Sequence, residues 1–256
     1  MSITSRGMAW TVGAGSASLE VNSNIFMKNS LTAITVGLLS ISVAPGAVSY
    51  TGTTISQTFT GYDGTAGPVG WDANGFSSGT GFSENRGAST GGVGTGGTYA
   101  FDIGGGNVAL GVQPGGSDFT PGYYQLEVTN DSGAPIVGVR LGYDGLFFND
   151  QARGNSLDLS YSLDGTTFTP IAAASFTSPE VADALGWTTG VSYAGDTAVT
   201  VPNGSSFFLR WDGDDSTGGA SRDEFAIDNV TFAAVPEPSS VLLGSLALLG
   251  LLRRKR

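Results

Sequence analysis

Residues 156–165 read Ser-Leu-Asp-Leu-Ser-Tyr-Ser-Leu-Asp-Gly. Leu157, Leu159, Tyr161 and Leu163 alternate with Asp158, Ser160 and Ser162, a period of two that puts the apolar set on one face of a β-strand. Asp164-Gly165 then supplies the positive-φ dipeptide of a tight hairpin turn. The same grammar recurs on both sides. Tyr124, Leu126 and Val128 alternate with Gln125, Glu127 and Thr129; Val137, Val139, Leu141 and Tyr143 alternate with Gly138, Arg140 and Gly142; Phe207, Leu209 and Trp211 flank Phe208 and Arg210. Ile55–Phe59, Thr98–Ile103, Val108–Val112, Phe168–Ala172 and Thr197–Val201 are shorter candidates, giving about ten strands between Tyr50 and Ala234.

Glycine supports an all-β reading. The chain has 41 Gly in 256 residues, more than twice the ~7% average, which disfavours long helices and suits strands joined by tight turns. Asn130-Asp-Ser-Gly133 reads as a hairpin turn, and Ser178–Leu185 as two turns of helix with Ser178 capping and Pro179 at the first position. A single sheet of ten strands would leave one apolar face wet. The expected fold is therefore an all-β, two-sheet antiparallel β-sandwich, jelly-roll-like. In the last strand the apolar phase shifts from Phe225 and Ile227 to Val230 and Phe232, which places a β-bulge at Asp228-Asn229.

Outside the strands, the chain carries two terminal segments. Met27-Lys28-Asn29 precedes Leu31–Val43, an apolar stretch that ends in Ala44-Pro-Gly-Ala-Val-Ser49. A basic start, a short apolar core and a small-residue exit make a secretory signal peptide over 27–49, with cleavage expected after Gly46, Ala47 or Ser49. The polar residues 1–26 ahead of it read as a misassigned N-terminal extension. Residues 50–234 are the body. At the other end, Val235-Pro-Glu-Pro-Ser-Ser240 leads into Val241–Leu252 and then Arg253-Arg-Lys-Arg256. A helix over that apolar run is about 18 Å long, short of a ~30 Å hydrocarbon core, and the four cations behind it stop transfer.

Charge and composition exclude several functions. The body holds five Arg, no Lys and twenty Asp or Glu, a net charge of −15. Such a surface repels nucleic acid and anionic membranes. No Cys and no His occur, which removes disulfides, Cys/His zinc sites, Cys nucleophiles and His-based triads. Four Glu in the body (Glu84, Glu127, Glu180 and Glu224) and many Asp leave a glycosidase pair open in composition. No spacing marks one, so no catalytic residue is assigned and a non-catalytic protein is expected. Gly92-Val-Gly-Thr-Gly-Gly97 matches G-x-G-x-x-G, but with a strand rather than a helix expected after it, so it reads as a loop.

Two sets of side chains stand out as ligand candidates. Asp212, Asp214, Asp215, Asp223 and Asp228 form the densest acidic region, and hard carboxylate oxygens suit Ca²⁺. The spacing fails as an EF-hand, with Thr217 at the sixth position, so a solvated acidic loop is the competing reading. Trp71, Trp187, Trp211 and the Tyr123-Tyr124 pair are candidates for a sugar-stacking platform, because aromatic faces stack on the apolar face of a pyranose; Trp71 in Gly70-Trp-Asp72 and Trp187 in Gly186-Trp-Thr188 look loop-borne and lead the set. Core packing is the alternative.

The Pro-Glu-Pro, apolar helix and basic tail of residues 235–256 resemble the PEP-CTERM protein-sorting signal of Gram-negative bacteria. That resemblance implies that Pro236, Glu237 and Pro238 are recognised by exosortase, with transient inner-membrane insertion through the C-terminal segment. It further implies release to the cell surface or extracellular matrix, often with exopolysaccharide. The two prolines hold the motif extended and outside the helix. Phe207–Asp212 with Asp223–Phe232, and Asn130–Gly133 with Ser156–Gly165, resemble jelly-roll domains of the MAM and carbohydrate-binding-module kind, over roughly Ser56 to Phe232. Together these imply an exported structural or adhesive protein, or alternatively a Ca²⁺-assisted carbohydrate-binding module.

Overall fold

The computed structural model describes residues 46–236. The extension 1–26, nearly all of the signal segment, Glu237, Pro238 and the C-terminal apolar run lie outside the described residues. Within them, fourteen strands form two seven-stranded sheets. The first sheet runs in the order β1 (Val48–Tyr50), β7 (Gly122–Asn130), β13 (Ser206–Asp215), β9 (Asn155–Ser162) and β10 (Thr169–Pro170). To it are added β3 (Trp71–Asn74) on β7 and β11 (Phe176–Thr177) on β9. The second sheet runs β12 (Trp187–Val201), β8 (Ile136–Phe148), β14 (Glu224–Ala234), β6 (Val108–Gln113), β5 (Gly97–Asp102) and β4 (Asn85–Ser89), with β2 (Ile55–Gln57) on β14.

Alternation decides what the two sheets bury. Leu126, Val128, Leu157, Leu159, Phe207, Leu209 and Trp211 line the inner face of the first sheet. Leu110, Val112, Leu141, Phe225, Ile227, Val230 and Phe232 line that of the second, in one shared core. Phe207 meets Phe232 at 5.5 Å and Tyr143 meets Trp211 at 5.5 Å across the interior. The expected bulge is present: the β14–β8 register slips between Asp228 and Thr231, and Asn229 has φ 51°. Asp164-Gly165 does lie between the paired β9 and β10, with Gly165 at φ 70°, but in a connection spanning 163–168 rather than a tight two-residue turn, and Asp164 has no positive φ.

Other expectations are corrected. The sandwich is not wholly antiparallel, since β1–β7 and β4–β5 are parallel pairs. Asn130–Gly133 is no hairpin, because β7 and β8 lie in different sheets; the turn carries the chain across the sandwich. Ser178–Leu185 forms no helix. Its polar groups are taken by long-range partners: the Ser178 N–H donates to Asn155 O, the Asp183 N–H donates to Asn149 O, and Asn149 Nδ2 donates to Val181 O. The described helical structure is one 3₁₀ turn, Ala172–Ala174. Leu163 lies beyond β9 and is exposed.

Candidate functional site

The outer face of the first sheet gathers polar and aromatic side chains in register. Asp212 on β13 pairs with Tyr123 on β7 and Asp158 on β9; Arg210 pairs with Gln125 and Ser160. The strand period that sends Phe207, Leu209 and Trp211 inward sends Phe208, Arg210 and Asp212 out. The Arg210 guanidinium lies 4.0 Å from the Tyr123 ring centroid and 3.7 Å from that of Phe168, within cation–π range of both rings. Its Nε and Nη2 both donate to Gln125 Oε1, at 3.1 and 2.8 Å. The clamp fixes a long side chain in place and leaves part of its donor fork free.

Asp212 lies beside this clamp, half-buried, and the Ser160 hydroxyl donates to its Oδ2 at 3.3 Å. Desolvation pushes its carboxyl above the ordinary carboxylate value, against the pull of Arg210, and Asp158 adds like-charge repulsion. A shallow cavity of ≈ 280 Å³ opens next to Tyr123 and Asp212, walled by Asn74, Gly75, Pro121 and Gly122. Aromatic faces, a planar cation, amides and carboxylates on an open sheet offer stacking surface together with hydroxyl-binding groups.

Of the sequence-derived candidates, Asp212 and Tyr123 lie on this face; Trp71, Trp187 and the other four aspartates fall elsewhere. Trp71 is not loop-borne: it opens β3, is 0% exposed, and stacks on Trp211 with ring centroids 5.2 Å apart. Its indole N–H donates to Gln57 Oε1 at 2.7 Å. It is a core residue and offers no face to a sugar. Trp187 opens β12 and is partly exposed, but its ring is wedged against Phe101 and Phe148 and its N–H donates to Thr90 O at 2.9 Å.

Nor do the five aspartates converge. Asp214 is exposed and accepts the neighbouring Asp215 N–H. Asp215 is bridged by Arg222 at 2.6 Å and by Arg153. Asp228 sits on the bulge of the other sheet, accepting from Asn107 Nδ2 and the Asn229 N–H. Among the described residues no three Asp, Glu, His or Cys side chains are grouped to hold a metal. Asp223 is fully buried. Desolvation pushes its carboxyl up to about 6, and Asp150 and Asp183 add repulsion against the hydrogen bonds from Ser178 and Gln151. The adjacent Glu224 lies under the glycine-rich loop and accepts the Val93 N–H at 2.6 Å; burial raises it to about 7.

Sequence comparison adds the terminal segment. Residues 234–256 match the PEP-CTERM protein-sorting motif. That motif marks exported proteins that are anchored transiently in the membrane before exosortase cleavage and sorted to the cell surface, and this chain is one of them. Pro236 follows the end of β14 by one residue, Val235, whose N–H donates to Gly138 O at 2.9 Å. Among the described residues no helix is long and apolar enough to cross a membrane. No curated protein matches the sequence.

Solved structures of similar shape include the K1 cleaved adhesin domain of Lys-gingipain from Porphyromonas gingivalis. It is 16% identical, with a TM-score of 0.40, over 72% of this chain and 100% of that one. The CBM22-1 xylan-binding domain of Xyn10C from Paenibacillus barcinonensis is 13% identical, with a TM-score of 0.40, over 74% and 97% of the two chains. At these scores the likeness assigns this chain no ligand.

Proposed function

We propose that this exported chain is a non-catalytic surface or matrix protein that binds a glycan, such as the exopolysaccharide at its destination, through the outer face of the first sheet. The observation that carries the reading is the Arg210 guanidinium clamped between Tyr123 and Phe168 beside Gln125 and Asp212. A preorganised donor fork binds sugar hydroxyls at low entropic cost, and ring faces take up the C–H face of the sugar. The −15 charge of the body favours neutral polymers over anionic ones, unless cations bridge them. Asp158 and Asp212 face each other across β9 and β13, but both border an open sheet face rather than flanking a cleft, which supports binding over hydrolysis.

The test is titration of the purified full chain on a glycan array. Saturable binding that Arg210→Ala removes while the melting temperature holds supports the reading; binding that survives the substitution contradicts it.

A structural or adhesive role without a glycan is the second reading, and one feature favours it. The fifteen-residue β12 forms an edge of the second sheet, and an unpaired edge is a template for strand addition by another chain. A concentration-dependent increase in mass that Thr197→Pro abolishes would support this reading.

A further inference from the structure

At the end of the sandwich closed by residues 149–154, 178–186 and 216–223, buried oxygens lack partners. Asp223 Oδ1 accepts the Gln151 N–H at 3.0 Å, while its Oδ2 has no donor. Asn149, which follows Phe148 where Asp223 precedes Glu224 at the last pair of β8 and β14, donates through Nδ2 to Val181 O at 2.8 Å and to Asp183 Oδ2 at 2.9 Å. Those two bonds fix its orientation, and they leave Oδ1 buried and unpartnered. Asn155 behaves alike: Nδ2 donates to Asp215 Oδ1 at 2.9 Å, its N–H donates to Ser178 Oγ at 3.1 Å, and Oδ1 is unpartnered. The Ser178 hydroxyl hydrogen-bonds the Asp223 carboxyl, linking Asn155 to Asp223. Asp223, Asn149 and Asn155 are 0%, 2% and 1% exposed.

A buried acceptor without a donor costs about 1–3 kcal/mol, and more when it is charged. Asp150 Oδ1 and Glu224 Oε2 are also buried and unpartnered in this region. Charge points the same way. Asp150, Asp183, Asp215, Asp223 and Glu224 stand against Arg153 and Arg222; both Arg pair with Asp215, and Arg153 Nε is buried without an acceptor. A single water donates only two hydrogens and leaves that excess negative charge in place. Hard carboxylate and amide oxygens are the ligand types of Ca²⁺, which takes 6–8 of them.

We propose that this end of the sandwich binds one Ca²⁺ through Asp223 Oδ2, Asn149 Oδ1 and Asn155 Oδ1, with Asp150 adding charge and with backbone carbonyls and water completing the shell. Of the five aspartates in the acidic stretch, only Asp223 belongs to this set; amides recruited from β9 and from the end of β8 replace the rest. The ion ties three irregular segments to both sheets.

The test is calcium titration of the chelator-treated full chain, followed by calorimetry and thermal melting, with total metal measured by mass spectrometry. One Ca²⁺ per chain is expected. At a hundredfold excess over Kd the melting temperature should rise by about 5–10 °C. Asp223→Asn, which preserves shape, should abolish the response, as should Asn155→Ala if it folds; Asp214→Asn should leave it intact. Three results would overturn the proposal. One is the absence of heat and of a thermal shift at about 10 mM Ca²⁺, well above the ~0.1–1 mM Kd of weak extracellular calcium modules. Another is a larger response to Mg²⁺. The third is an Asp214→Asn variant that loses the response while Asp223→Asn keeps it.

Discussion

Trp71 on β3 stacks on Trp211 on β13, with ring centroids 5.2 Å apart and planes inclined by 25°, and both rings are fully buried. Phe59 tilts against Trp71 at 5.4 Å, and Tyr143 reaches Trp211 from the opposite sheet. Trp71 therefore acts on stability. Trp71→Ala should cost about 3–5 kcal/mol in denaturant unfolding. Trp71→Phe should cost less and leave glycan affinity unchanged in the folded protein.

Glu224 latches the glycine-rich loop to the second sheet through the Val93 N–H, 131 residues away in sequence. Removing the carboxylate leaves that donor without its acceptor, at a cost of about 1–3 kcal/mol. Glu224→Ala should speed amide hydrogen exchange over residues 90–97 while the core strands keep their protection. Unchanged exchange in the loop would show that the latch is idle.

Asp164 holds the β9–β10 turn. The N–H groups of Thr167 and Thr166 and the Ser162 hydroxyl all donate to its carboxylate and hold its pKa well below the usual carboxylate range. A lowered folded pKa means that the unfolded chain binds more protons on acidification. The contribution to stability is therefore present above the unfolded value of ~3.9 and lost as pH falls through the folded one. The difference in melting temperature between wild type and Asp164→Ala should be largest at neutral pH and should shrink at the acid extreme. A difference independent of pH would contradict the assignment.

The ends of the exported protein are predicted from the first and last strands. Val48–Tyr50 pair in parallel with Val128–Asn130, so signal cleavage after Ser49 would remove two of the three residues of β1. Intact-mass measurement should place the mature N-terminus at or before Val48. It should also show loss of the residues beyond the Pro-Glu-Pro motif, whereas retention of Arg256 would contradict cleavage there.

Legibility in the sequence followed the range of the interaction. Alternation is local, so the burial of Leu157, Leu159, Phe207, Leu209 and Trp211 could be read directly, and the phase slip at Asp228-Asn229 announced the bulge. Pairing is long-range, so Asn130–Gly133 looked like a hairpin although its flanking strands belong to different sheets. Ser178–Leu185 has helix-cap chemistry that tertiary hydrogen bonds to Asn149 and Asn155 override. Trp71 looked loop-borne because Gly70, at φ 84°, turns the chain immediately before the ring enters the core. Of the Tyr123–Arg210–Phe168 clamp, Tyr123 stood out in the Tyr123-Tyr124 pair, but its meeting with Arg210 and Phe168 did not, since the register that joins β7 to β13 has no local signal. The acidic stretch drew attention to Asp212–Asp228, but Asn149 and Asn155 carry no charge to mark them.

Glycan binding by the Arg210 face rests on the affinity of full-length Arg210→Ala and Tyr123→Ala for the best glycan on the array, measured beside their melting temperatures. Each variant should lose at least about tenfold in affinity, or ~1.4 kcal/mol, with an intact fold. Wild-type affinity in both folded variants, or no saturable binding by the wild type to any glycan, would contradict it.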